Sequence, residues 1–253
     1  MASCTQDRRR SDDHHRHLPN DVLIDILTRL PVKSLLRSKC VCKNWHNLIQ
    51  NPTFAQAHFR LQKLQDKGRI FLQYFNDIDA PSKYHYALFP DETLASDAYH
   101  DLDVLETRGS AGIDGPVNGL FCVFNFWDPF IIWNPAIREF RTLPFPGLPE
   151  FPPNFDIVYS NTGFGLDKSN DDYKVVLIRC IDYRVKDMPI VNDVYVHVYS
   201  LSTNTWRRLD GLDYPSLEYL RRCRSEIGAY SDGVYYWWPG DGVLAFDMGN
   251  EVF

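Results

Sequence analysis

The sequence predicts an α+β chain with its two parts in separate domains, a short helical unit followed by an all-β repeat region. Three observations carry that expectation. Apolar residues recur at helical spacing through residues 18–59. Beyond Lys67-Gly68 the composition turns to aromatic and β-branched runs broken by Gly, Pro, Asn and Asp. A phrase of apolar strand, polar turn and aromatic residue then occurs three times in that second part.

The helical elements follow in order. After Leu18-Pro19, Asn20 or Asp21 is placed to cap a helix whose Leu23, Ile26, Leu27 and Leu30 fall on one face, and Pro31 ends it. A second run carries Leu35, Leu36 and Cys40, and a third carries Trp45, Leu48 and Ile49 before Asn51-Pro52 breaks the pattern ahead of Phe54. The expected unit is therefore three short helices. At roughly 40 residues without a disulfide or metal it sits at the lower limit for folding alone, so part of its apolar surface is expected to be covered by another protein.

Taken as an ordered string, Leu-Pro-x-Asp-Val-Leu from Leu18, Ile26-Leu27-x-Arg29-Leu30-Pro31-Val32-Lys33-Ser34-Leu35-Leu36-Arg37, and Cys40-Val41-Cys42-Lys43-x-Trp45 resemble the F-box of plant F-box proteins. The resemblance implies docking on a Skp-family adaptor and, through it, association with the cullin and RING protein of a ubiquitin ligase. Carried over by matching positions, the adaptor-facing set is Leu18, Pro19, Leu23, Ile26, Leu30, Pro31, Leu35, Val41, Cys42 and Trp45. Ser38 departs from the pattern, which calls for an apolar residue there.

Length and composition narrow the alternatives. The 253 residues leave room for this helical unit and one large or two small further domains. A net charge of −6 argues against a nucleic-acid surface spread over the whole protein. Cys4, Cys40, Cys42, Cys122, Cys180 and Cys223 are scattered without C-x-x-C spacing, which favours reduced thiols over a zinc framework or a secreted disulfide scaffold. The first 17 residues form a polar, charged tail without the apolar core of a secretory signal, and no run reaches the roughly 20 apolar residues that span a membrane. Arg8-Arg9-Arg10 in that tail reads as solvated charge. These features place the protein in the cytoplasm, the nucleus or both, with no nucleic-acid or membrane partner.

In the strand region, Arg69-Ile70-Phe71-Leu72 and the runs 173–178 and 194–199 read as short strands. The echoes occupy residues 131–144, 197–209 and 244–253, and in each the two aromatic residues stand seven apart: Trp133 and Phe140, Tyr199 and Trp206, Phe246 and Phe253. A shared hairpin is the natural cause. The shorter interval between echoes is near the roughly 50 residues of a kelch blade, with a β-sandwich as the alternative. Val117-Asn118-Gly119-Leu120-Phe121-Cys122, Trp133-Asn134-Pro135-Ala136-Ile137-Arg138-Glu139-Phe140 and Phe246-Asp247-Met248-Gly249-Asn250-Glu251-Val252-Phe253 resemble hallmarks of the plant F-box-associated domain, worded most like S-locus F-box-like proteins, whose best-known members recognise pollen-rejection ribonucleases. The resemblance implies a kelch-like β-propeller region that selects the protein to be ubiquitinated. Three clear hairpins and a weaker unit around residues 69–89 fall short of a closed ring, so the propeller is expected to be incomplete and the chain truncated at its C-terminal end. The domains are then a disordered tail over 1–17, a helical domain over 18–66 and a propeller-like domain over 68–253.

No motif points to catalysis, a cofactor or a metal. The sequence has no G-x-S-x-G elbow, H-E-x-x-H helix or phosphate loop. Gly163-Phe164-Gly165 lacks the third glycine of a dinucleotide loop and reads as a β-turn; Asp171-Asp172 and Asp101 with Asp103 read as solvated turns; His14, His15 and His17 with Cys4 read as solvated tail. Tyr235-Tyr236-Trp237-Trp238 reads as buried strand or as a contact patch on a propeller face. The expected function is the substrate-recognition subunit of a Skp–cullin–F-box ubiquitin ligase, non-catalytic in itself, with target-binding residues unassigned. The rival expectation is an autonomous propeller that binds or processes carbohydrate.

Overall fold

The computed structural model describes residues 18–65, 70–76, 83–89, 100–101, 111–125, 129–146, 155–183, 191–213, 216, 220, 228–238 and 242–253. The chain divides into two compact units between Asp66 and Lys67. The polar tail, Asp103 and Cys223 lie outside the described residues.

The N-terminal unit has four helices where the periodicity predicts three: α1 (Asn20–Thr28), α2 (Val32–Ser38), α3 (Lys43–Gln50) and α4 (Pro52–Gln65). The fourth was hidden because Pro52 reads as a breaker. Proline is equally suited to the first turn of a helix, where its missing N–H would be unpaired in any case. Asn51 prepares that start, its Oδ1 accepting the Thr53 N–H at 2.8 Å. The cap of α1 is also corrected: Pro19, not Asn20 or Asp21, holds that position with no side-chain hydrogen bond, and its carbonyl accepts the Leu23 N–H at 3.0 Å. Pro31 repeats the device for α2. Ser38, the residue that departs from the motif, donates its hydroxyl to the Ser34 carbonyl one turn back at 3.0 Å.

Leu23, Leu27, Leu35, Ile49 and Phe54 form the core of this unit, with Leu30, Trp45 and Leu48 partly buried against it. Helix α4 closes the bundle through a polar contact. Buried His58 donates Nε2–H to the Leu30 carbonyl at 2.9 Å, which satisfies an acceptor that the end of α1 leaves open.

The second unit consists of antiparallel meanders. Its first sheet is β1 (Ile70–Asn76), β2 (Lys83–Phe89) and β3 (His100–Asp101), a third strand beyond the weak unit expected from sequence. The second is β4 (Gly112–Val117), β5 (Leu120–Phe124), β6 (Ile131–Asn134) and β7 (Glu139–Thr142). The third is β8 (Phe155–Asp167), β9 (Asp172–Tyr183), β10 (Val191–Ser200) and β11 (Thr205–Leu209), and the fourth is β12 (Gly228–Ser231), β13 (Val234–Trp237) and β14 (Leu244–Asp247). Strands neighbour one another in sequence order, and among the described residues no sheet closes on itself. Four stacked meanders are the propeller arrangement, not the two-layer sandwich held as its alternative.

The sheets meet face to face along three apolar seams. Phe71, Tyr86 and Leu88 of the first sheet meet Phe121, Val123 and Trp133 of the second. Cys122, Phe130 and Ile132 meet Phe164, Val175, Leu177 and Tyr199 of the third. Val176, Ile178, Cys180, Val196 and Val198 meet Tyr235, Trp237, Leu244 and Phe246 of the fourth. Strand alternation explains how one sheet serves two seams, since odd and even residues of β9 point to opposite faces. The first strands β4, β8 and β12 touch one another where the sheets converge.

Gly163-Phe164-Gly165 lies inside β8 and is not the β-turn its composition suggests. A Cβ on Gly163 would come within 2.8 Å of the Tyr235 and Trp237 rings, and one on Gly165 within 2.7 Å of Tyr230. These glycines let the aromatic face of the fourth sheet lie against β8.

The seven-residue aromatic spacing has a backbone cause. In each echo the strand ends pair across a four-residue turn, Asn134 with Glu139, Ser200 with Thr205 and Asp247 with Val252. The last turn residue has positive φ in all of them: Arg138 (58°), Asn204 (56°) and Glu251 (59°). The turn between β8 and β9 has the same build, with Asp167 opposite Asp172 and Asp171 at 51°. A side-chain oxygen on the first residue organises each loop, as when Asp247 Oδ1 accepts the Gly249 N–H at 2.8 Å and Asn134 Oδ1 the Ala136 N–H at 3.1 Å. Asp172 is buried rather than solvated, holding Ser200 Oγ at 2.5 Å and the Ser202 N–H at 2.9 Å.

Candidate functional site

The ten residues assigned to the adaptor face occupy three different settings. Leu18, Pro19, Ile26, Pro31, Val41 and Cys42 are exposed; Leu30 and Trp45 are half-buried; Leu23 and Leu35 are interior residues of the helical core. Helix geometry accounts for the split within α1. Leu23 and Leu27 stand one turn apart and face inward, whereas Val22 and Ile26, also one turn apart, fall on a neighbouring stripe that stays open. Val22 and Ile24 belong to the exposed apolar surface and were not singled out from sequence, although the i, i+4 relation of Val22 to Ile26 was a readable signal. Leu18, Val22, Ile26 and Val41 are 56 %, 41 %, 44 % and 62 % exposed. The open side of α1 also carries charge: Asp25 and Arg29, the latter three residues beyond Ile26, form an exposed i, i+4 pair at 2.8 Å.

In the strand region the polar groups bind the sheets to one another. Lys174 is buried and donates Nζ–H to Asp167 Oδ2, the Met248 carbonyl and Glu251 Oε1, each at 2.8 Å. Arg207 also binds Glu251. Burial works to raise the Asp167 carboxyl, yet hydrogen bonds from Lys174, Ser169 and Asn170 outweigh it and hold the group well below the usual carboxylate range. At the convergence of the sheets, Tyr235 donates its hydroxyl to Asp114 Oδ1 at 2.6 Å. Burial pushes that carboxyl up to about 7 against the opposing effect of the Tyr235 bond, and its Oδ2 has no hydrogen bond. Beside it the buried Cys122 thiol is pushed up by burial and then by the Asp114 charge.

These groups are structural in placement: a buried ammonium with three acceptors and a carboxyl bonded to a phenol lock the sheets together. Among the described residues, no cluster of His, Cys, Asp and Glu is placed to hold a metal, and no helix is long and apolar enough to cross a membrane. On β13, Tyr235 and Trp237 are buried while Tyr236, and Trp238 just past the strand's end, are 38 % and 58 % exposed, so the aromatic run supplies core on one face and an open patch on the other.

Two domain families match the chain: the F-box domain over residues 16–56 and the F-box associated beta propeller domain over residues 114–253. The chain is 29 % identical over 249 residues to F-box protein At1g11270 of Arabidopsis thaliana, covering 93 % of this chain and 73 % of the relative. It is 30 % identical over 251 residues to F-box/kelch-repeat protein At3g23880 of the same plant, covering 94 % of this chain and 64 % of the relative. With F-box protein CPR1, also of Arabidopsis thaliana, identity is 28 % over 205 residues, 77 % of this chain and 46 % of the relative. The chain thus spans from under half to nearly three quarters of the length of these relatives.

Proposed function

This chain belongs to the plant F-box proteins that carry an F-box associated beta propeller domain, and we propose that it serves as the substrate-recognition subunit of a Skp–cullin–F-box ubiquitin ligase. The observation that carries the proposal is the helical unit, which buries a core of five apolar side chains while leaving Leu18, Val22, Ile26 and Val41 open. A Skp-family adaptor covers that stripe together with Pro19, Pro31 and Cys42. Leu23, Leu30, Leu35 and Trp45 act from beneath it by fixing the helices that present it.

The strand region selects the target, and the exposed Tyr236 and Trp238 are aromatic anchors of the kind that dominate protein contacts. The chain performs no bond chemistry in this reading. It raises the local concentration of a target lysine near the ubiquitin-loaded enzyme brought by the cullin and RING protein. The site of action is the cytoplasm or the nucleus.

The test is co-purification of the full chain with a Skp-family adaptor. Ile26→Asp and Val41→Asp each place a carboxylate in the apolar contact, at a cost of several kcal/mol, so capture should fall by about a hundredfold or more with helical circular dichroism retained. Capture of both folded variants at the wild-type level would overturn the assignment. Leu23→Asp is the poorer probe, because Leu23 is only 5 % exposed and its loss would disrupt the unit itself.

A further inference from the structure

Two buried side chains of the third sheet have polar atoms without a hydrogen bond. Arg179 is 5 % exposed and His197 is 4 % exposed, yet Arg179 Nε and Nη1 and His197 Nδ1 meet no acceptor or donor. They share one face of the sheet. Strand pairing sets Arg179 opposite Tyr195 and Leu177 opposite His197, so both side chains lie on the face that turns Val175, Leu177 and Tyr199 into the second seam. The same ladders set Ser160 of β8 across from Arg179 and Arg208 of β11 across from His197.

The local field is positive. Burial first, then the charges of Arg179 and Arg208, depress His197 to about 4 against a smaller opposing effect of Asp210, so the imidazole is neutral at physiological pH. Nearby carboxylates are committed: Asp210 is held by Arg208 at 2.8 Å, and Asp193, on the same face of β10, is itself partnered. Arg208 also lies over the Tyr195 ring, 4.4 Å from its centroid, with the planar face of the guanidinium supported from below. A guanidinium buried without a counter-charge is costly, and Arg179 has unmet donors on both edges of its plane.

We propose that Arg179, His197 and Arg208 form an oxyanion site in the third sheet, for a ligand that presents a phosphate or carboxylate group. Arg179 donates to the oxygens from beneath and supplies the uncompensated positive charge, Arg208, which holds Asp210 through Nε, offers its terminal amino groups, and His197 adds a ring N–H in the tautomer that points Nδ1–H at the anion. The site lies wholly in the strand region and stands independently of the adaptor reading.

The experiment uses the purified full chain with two probes, inorganic phosphate and malonate, each titrated at constant ionic strength against sodium chloride while strand-region unfolding is followed. At a hundredfold excess over its dissociation constant, a bound anion should raise the unfolding temperature by roughly 5 °C. A saturable rise with phosphate alone assigns a phosphate ligand, one with malonate alone a carboxylate, and a rise with both a general oxyanion site. Arg179→Met should abolish the rise without lowering anion-free stability, since it removes an unpaired buried charge. Arg208→Gln, at an exposed position, should weaken binding about tenfold and serves if Arg179→Met does not fold. No saturable rise with either probe, or a rise that persists undiminished in both variants, would overturn the site.

Discussion

In the helical unit Leu27 is fully enclosed while Ile26 beside it is 44 % exposed; in the strand region the neighbours Val175 and Val176 are both fully enclosed. The difference comes from what each segment has available to cover it. A strand between two others, with a sheet on either face, turns alternate residues into separate seams and leaves none in water. A helix in a bundle of short helices has one covered side, so an apolar residue a quarter turn away stays outside. The helical unit therefore keeps apolar side chains open beside its core, whereas the inner strands of the second region bury both faces and leave exposed apolar residues such as Phe140, Tyr236 and Trp238 to the first, second and fourth sheets and their flanks.

The largest expected effect breaks the two regions apart. Leu27→Ala should cost the helical unit about 2–5 kcal/mol, enough to remove its thermal transition and its adaptor capture while the strand-region transition stays in place. Trp237→Ala should do the reverse, lowering the strand-region transition by about 3–5 kcal/mol with capture unchanged. Differential scanning calorimetry with an adaptor pull-down checks both, and a single transition that moves in both variants would show that the regions do not fold independently.

A smaller effect separates the two regions by pH, because the strongly displaced groups at Asp114 and His197 are both in the strand region. Asp114 has its folded value raised to about 7, so the native state holds a proton that the unfolded chain releases above its ordinary 3.8, and stability falls as pH rises between those values. The total is on the order of 4 kcal/mol. His197 works the other way: its folded value near 4 lies below the ordinary 6.5, so stability is lost as pH falls from 6.5 toward 4. The two slopes oppose each other in the shared window. Urea titrations of the strand region should therefore be nearly flat from pH 4 to 6.5 in the wild type, rising with pH in Asp114→Asn and falling in His197→Gln.

The smallest effect sharpens the view of the four matching turns. Arg138 and Glu251 share the left-handed backbone, so glycine relieves the same strain at each. Arg138→Gly should stabilise by up to about 1 kcal/mol. Glu251→Gly should destabilise, because it also strips an acceptor from buried Lys174. Equal shifts in the two melting temperatures would remove Lys174 from the account.

Those turns also show what was legible in the sequence. The seven-residue aromatic spacing is a local property and could be read directly, as could helices α1 to α3 from their periodicity and β9 and β10 from their β-branched runs. Pro52 misled because one residue type both stops and starts helices, and only the bundle decides between them. Gly163-Phe164-Gly165 misled because glycine marks a turn in isolation and a close approach in a sheet, and the approaching Tyr235 is more than 70 positions away. Among the adaptor-face residues, membership in the motif was visible, but which leucines turn inward depended on α4. The Lys174 network and the Arg179–His197 pair join residues from separate strands, and no sequence window contains the register that brings them together.

Strand β9 is hydrogen-bonded along both edges, to β8 and to β10, and its alternate residues fill two different seams. Its backbone amides have no local route to water: neither fraying of an edge nor loosening of one seam uncovers them. In deuterated solvent they should therefore be the last of the chain to exchange, on the timescale of complete unfolding of the strand region. The outer strands β7 and β11, with residues largely open to solvent, would report the shallow fluctuations. Time thus orders this molecule from its middle outward, and a ligand that grips the third sheet would be detected first as a slower clock in β9.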